Sequence, residues 1–184
     1  PAGAPLYYNT ALQLAPDRAA SKYAKMHLVP FGEYIPYPRI LGFIERMAPA
    51  VGALTPGQGR TLHSFRDIPY ASPICYEIAF PDEVRRFVKR GARFLATISN
   101  DGWYGRSAAL RQHFAQAVFR AAENRRFVLR AATTGISGLI DPYGRIVART
   151  MLPDNPQIAF DRRNRRFQLV SHHRNQLKSQ LLLF

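Results

Sequence analysis

Cysteine is almost missing from this chain: Cys75 is the only one among 184 residues. A single thiol excludes an intramolecular disulfide and a cysteine-rich structural metal site. Long apolar runs are missing too. The longest uncharged stretches, 1–16 and 47–59, are broken by Pro and Gly, and none approaches the ~18 residues that span a bilayer. Acidic residues are few, 12 against 26 Lys and Arg, for a formal net charge of +14. No His/Asp/Glu spacing of metal-ligand type stands out, and the pair His172-His173 lies in an atypical tail, so neither metal nor cofactor is expected. Gly57-Gln58-Gly59 lacks the strand–turn–helix context of a phosphate loop. The chain opens on Pro1 without a basic leader segment and reads as an excised piece with no signal peptide.

What is present suits one packed domain: 47% of residues are hydrophobic and 21% charged, a balance that excludes wholesale disorder. The basic excess favours anionic partners, either nucleic acid or an anionic membrane surface. It is concentrated in 161–184, with six basic residues against one acidic. This segment reads as a solvated, disordered or unrelated basic tail on a domain spanning 1–160. Phe167 is its only aromatic before Phe184, which leaves little for base stacking, and no specific nucleic-acid partner is expected.

Patterning along 1–150 alternates strands with helices. Strands are predicted at 6–14 and 23–29, the second closed by Pro30-Phe31-Gly32, and a hairpin at 60–65 and 68–75 ends at the cysteine. Pro81-Asp82-Glu83 marks a helix start that runs on to Gly91. The apolar run 94–99 reads as a buried strand. Ser107 then caps a long helix whose apolar face is Leu110, Phe114, Ala117, Val118 and Ala121. Further strands follow at 127–132, 136–140 and 146–150. The fold class is therefore α/β, layered.

A cysteine at the end of a strand and before a helix suits a nucleophile, because the strand end exposes sulfur and a helix N-terminus favours thiolate. Cys75, in Pro73-Ile74-Cys75-Tyr76-Glu77, fits that description, although a lone cysteine is more often a small buried hydrophobe. Lys25 ends on another turn that can face the same sheet edge, although a lysine on a short apolar strand ordinarily snorkels to water. His27 suggests a cysteine–histidine dyad, His113 on the long helix packs or caps the sheet, and His63 has no evident partner.

Four segments, KMHLVPFGEYIP (25–36), PICYEIAFPDEVRRF (73–87), ISNDGWYGRSAALRQHF (98–114) and the 132–146 run ATTGISGLIDPYGRI, occur in the order that resembles the nitrilase superfamily. Within it they are most similar to the extracytoplasmic domain of the bacterial apolipoprotein N-acyltransferases. That resemblance implies a layered α-β-β-α sandwich, here incomplete at both ends. It implies Cys75 as nucleophile and Lys25 as catalytic lysine, with Glu33, Tyr76, Glu77 and Trp103 in supporting places. The general-base glutamate of the family falls on an earlier strand, outside this chain, and the family's membrane helices are absent; the fragment alone is then expected to be inactive. The implied reaction passes an acyl chain from a membrane phospholipid, through a cysteine thioester, to the N-terminal amine of a lipoprotein, on the periplasmic side of the inner membrane. Ile40, Leu41, Phe43 and Ile44 would form a greasy arm at the lipid surface, with Met47 alongside and Arg39 and Arg46 near phosphates. Two rivals remain at this point: a soluble nitrilase-type amidase or carbamoylase, and a basic nucleic-acid-binding module.

Overall fold

The computed structural model describes residues 6–15, 18–37, 54–105 and 107–150. The expected greasy arm, Ile40, Leu41, Phe43 and Ile44, lies outside them, as does the 161–184 tail.

Strands β1 (Thr10–Ala15) and β2 (Arg18–Ala24) form an antiparallel pair. A second, six-stranded sheet contains β3 (His63–Phe65), β4 (Ile68–Ala71), β5 (Phe94–Ser99), β6 (Phe127–Ala132), β7 (Gly138–Ile140) and β8 (Ile146–Arg149), in that spatial order. Its centre is parallel, β4 with β5 and β5 with β6, and its edges are antiparallel. The β3–β4 hairpin turns on Arg66 and Asp67, both at positive φ, the backbone that a two-residue hairpin loop requires. Helix α1 (Pro81–Lys89) crosses from β4 to β5, and α2 (Ala109–Asn124) from β5 to β6. Right-handed crossovers put both helices on one face.

Alternation in β5 and β6 fixes which side chains meet that helix layer. Leu95, Thr97, Ser99, Val128, Arg130 and Ala132 are buried, whereas Ile98, Phe127 and Leu129 face outward and are exposed. The core is closed by Val84 and Phe87 from α1 and by Phe114, Ala117 and Ala121 from α2. Tyr23 of β2 meets Phe87 edge to face, with centroids 5.2 Å apart, which ties the small sheet to the helix layer. Gln13 ties it to β3 through both its amide atoms, donating to the Ser64 carbonyl at 2.6 Å and accepting from the Ser64 N–H. The α/β layering expected from the sequence is present: the described residues make one helix layer on the six-stranded sheet, with the β1–β2 pair tied to its β3 edge.

Three expectations need correction. The hairpin's second strand is Ile68–Ala71 and stops short of the cysteine. The second strand is Arg18–Ala24, not 23–29, so Lys25 follows the strand end instead of lying in mid-strand. Its successors form an irregular turn in which the N–H groups of Met26, His27 and Val29 are taken by side-chain carboxylates, not by a strand partner. His63 is not without a partner: its Nδ1 bonds the Ser21 hydroxyl.

Candidate active site

Three parallel strands end at one edge of the sheet. After β4 the chain passes through buried Ser72, Pro73 and Ile74 to Cys75; β5 is followed by Asp101, and β6 by Thr134 and Gly135. Open α/β sheets bind ligands at this carboxyl edge. Cys75 is a free, half-buried thiol at φ 50, a left-handed conformation that is uncommon for a residue with a β-carbon. It opens a short 3-10 turn, Cys75–Ala79, before α1 begins, so the expected direct step from cysteine to α-helix is replaced by this turn.

Glu77, two residues on, staples that turn to the Lys25 segment. One of its carboxylate oxygens accepts from the Tyr23 hydroxyl at 2.7 Å and from the N–H groups of Met26 and His27 at 2.8 and 3.1 Å. The other accepts from the Ile74 N–H at 2.8 Å. Burial and the adjacent Glu77 carboxylate push the Tyr23 phenol far above its ordinary value. Tyr76 and Glu77 therefore belong to the wall between the two segments, with Tyr76 ringed by Phe80 and His27. His27 itself stacks on Phe80, centroids 3.7 Å apart, so its ring serves this aromatic cluster rather than the expected cysteine–histidine dyad.

Lys25 does not snorkel. It is 1% exposed, and its Nζ donates to Glu33 at 2.7 Å. Glu33 also accepts from the Val29 N–H and the Asn9 amide, both at 2.8 Å. Burial alone would raise the Glu33 carboxyl, but these three hydrogen bonds and the lysine charge outweigh it and hold it below its ordinary value. The lysine backbone is held as well: its N–H donates to Asn9 and its carbonyl accepts from Gly57, each at 2.8 Å. Gly57 allows this close approach, since a β-carbon there would lie 2.1 Å from the Ala24 carbonyl oxygen.

A buried polar group stands behind Cys75, and of its members the sequence pattern names only His113. Asp101 accepts from the Ser99 hydroxyl at 2.5 Å and from Arg130 Nη2 at 2.7 Å, and its Oδ1 lies 3.0 Å from His113 Nδ1. Burial alone would raise the Asp101 carboxyl; the bonds from His113 and Ser99 and the Arg130 charge hold it down at about 2. His113 does pack against the sheet, as expected, but through this carboxylate. A signal was available for Arg130, because strand alternation in Phe127–Ala132 turns position 130 inward, where a cation needs an anion. Nothing in the sequence pairs it with Asp101 in particular.

Cys75 Sγ, an Asp101 oxygen and a His113 ring nitrogen lie within 4.8 Å of one another, a grouping that sequence spacing did not reveal because three separate elements supply it. These are metal-ligand types, but each histidine nitrogen already has a partner and Asp101 is matched by a guanidinium. A metal ion would have to displace that buried cation. Trp103, by contrast, stands 75% exposed on the turn Asp101–Tyr104, at the rim of the same edge.

The carbon-nitrogen hydrolase family model matches residues 2–158. The apolipoprotein N-acyltransferase of Geobacter metallireducens is 40% identical over 147 residues, covering 79% of this chain and 28% of that protein. That of Thermotoga maritima is 42% identical over 140 residues, 76% of this chain and 28% of its own length. The chain thus spans little more than a quarter of these curated relatives. Among solved structures, the C. elegans NitFhit protein aligns with a TM-score of 0.60 at 24% identity, over 79% of this chain and 35% of its own. Saccharomyces cerevisiae Nit3, a member of branch 10 of the nitrilase superfamily, aligns at 0.54 and 24%, over 79% and 49%. At that identity the two structures speak to the fold.

Proposed function

Because this chain belongs to the carbon-nitrogen hydrolase family, we propose that it carries the acyl-transfer site of an apolipoprotein N-acyltransferase, with Cys75 as the nucleophile. The observation that carries the reading is a free thiol at the sheet's carboxyl edge whose turn is tied, through Glu77, to the segment that follows the buried Lys25.

In this proposal the Cys75 thiolate attacks the ester carbonyl of a phospholipid. The glycerol oxygen leaves and the acyl chain stays on sulfur as a thioester, which the N-terminal amine of a lipid-modified lipoprotein then opens. A thioester suits the second step because an amine attacks it readily. The Lys25 ammonium, kept from water, offsets the charge of the developing oxyanion. Backbone N–H groups at 75–76 add to the oxyanion site. Glu33 and Glu77 are poor bases here, since their oxygens accept from three and four donors. In the family that the motifs resemble, the proton goes to a glutamate on an earlier strand. Trp103 at the rim suits an amphipathic substrate, and the setting is the periplasmic face of a bacterial inner membrane.

The test is a chimera in which this chain's matched stretch replaces the corresponding stretch of the Thermotoga maritima relative. With phospholipid vesicles and a synthetic peptide bearing an N-terminal diacylglyceryl cysteine, the chimera acylates the peptide amine and its Cys75→Ser form does not. Hydrolysis of simple amides with no acylation of the peptide would move the assignment to the amidases of the same family.

A further inference from the structure

We infer that His113, backed by Asp101 and Arg130, is a positioning residue that holds Cys75 in its strained left-handed backbone and so aims the thiol at the sheet edge. The inference rests on the reading of Cys75 as nucleophile and adds a role to three residues which that reading leaves unused.

The geometry converges on one carbonyl. His113 Nε2 lies 3.1 Å from the Cys75 backbone oxygen, so this nitrogen carries the proton and donates. A residue at φ 50 gains by relaxing toward negative φ, and such a rotation would carry the carbonyl away from the imidazole. The hydrogen bond therefore opposes the relaxation. The ring in turn has no freedom to follow. Its Nδ1 sits 3.0 Å from Asp101 Oδ1 and 3.1 Å from Arg130 Nη2. Arg130 is anchored by Nε to the Ile136 carbonyl at 3.2 Å, and Asp101 by the Ser99 hydroxyl. Gly135 closes the back of the group, since a β-carbon there would lie 2.0 Å from Asp101 Oδ2. None of the three charged or polar side chains is more than 5% exposed. An ion pair placed so deep is a fixed support for whatever it holds. The imidazole addresses the cysteine's carbonyl, not its sulfur, which separates this role from that of a general base.

The single cysteine makes the test specific, because one alkylation event in the intact mass reports on Cys75 alone. Iodoacetamide alkylation of the 184-residue chain is followed across pH for wild type, His113→Phe, His113→Gln and Gly135→Ala, with circular dichroism confirming the fold. His113→Phe keeps a ring but no donor; its high-pH plateau rate should fall about tenfold, the worth of one buried hydrogen bond, with the titration midpoint unchanged. His113→Gln keeps an amide N–H for the carbonyl and should recover most of the rate. Gly135→Ala, which removes no polar group, should fall alongside His113→Phe. A shifted midpoint with an unchanged plateau in His113→Phe would make the histidine a partner of the thiol proton and overturn the inference. If His113→Phe does not fold, His113→Gln decides: a folded Gln variant with the full tenfold loss overturns the proposal, and near-wild-type alkylation supports it. Wild-type Cys75 inert to iodoacetamide at every pH would instead count against the nucleophile reading, so the two failures are distinguishable.

Discussion

The two halves of the site hold their charges in different ways. On the Cys75 side, Asp101, Arg130 and His113 come from a strand end, a strand and a helix, and the Asp101–Arg130 pair has no side-chain exposure. On the Lys25 side the charged pair stands on one irregular turn, and Glu33 keeps 14% of its side-chain surface in water. The first half is rigid because regular elements cross behind it. The second is held because Glu33, Glu77 and Gly57 take up the backbone groups of a segment that joins neither sheet among the described residues. In the proposed reaction the charge that works on the substrate thus sits on the half that side chains shape, and the proposed nucleophile on the half that the sheet shapes.

The largest expected effect removes the support of the sheet-built half. Arg130→Met leaves the Asp101 carboxylate buried without its cation and should cost about 3–5 kcal/mol in urea unfolding. Lys25→Met strands a partly solvated Glu33 that retains its Val29 and Asn9 donors, and about 1–3 kcal/mol is expected. It should abolish acyl transfer all the same. A Lys25→Met cost equal to or above that of Arg130→Met would erase the distinction between the halves.

Acid sharpens the same comparison. The Asp101 carboxyl lies at about 2 in the folded chain against an ordinary 3.8, so its contribution is full above the ordinary value and is lost as pH falls toward 2. Linkage puts that contribution at about 2 kcal/mol. Glu33 is also held below its ordinary 4.5 and loses its contribution from that pH downward. Urea midpoints measured down the acid limb should show Asp101→Asn flattening the lower part and Glu33→Gln the upper part. The smallest effect belongs to Trp103→Ala, within about 0.5 kcal/mol of wild type in stability because the ring stands in water, while acyl transfer by the chimera slows.

Legibility in the sequence divides along the same line. Residues 94–99 and 127–132 are placed as strands to the residue, and of the apolar face expected for α2, Leu110, Phe114, Ala117 and Ala121 are buried and Val118 half-buried, because alternation and helical spacing report burial directly. The turn that carries Lys25 was read as strand. Its apolar residues suggest a strand, yet its N–H groups bond carboxylates supplied from positions 33 and 77. No local pattern encodes a partner fifty residues away. The grouping of Asp101, His113 and Arg130 is hidden for the same reason: spacing turns His113 and Arg130 inward one by one, and only the parallel order β4–β5–β6 brings them together with Asp101 behind Cys75. The motif resemblance reached Cys75, Lys25, Glu33, Tyr76, Glu77 and Trp103 without any of this geometry.

The most direct test of the account is the mass of the acyl-enzyme. The Thermotoga-based chimera is incubated with phospholipid and no acceptor peptide, digested under conditions that preserve thioesters, and mapped. The account predicts one acyl chain on the peptide containing Cys75, released by neutral hydroxylamine and absent from the Lys25→Met chimera. An acyl chain on any other residue, or one that resists hydroxylamine, would contradict it.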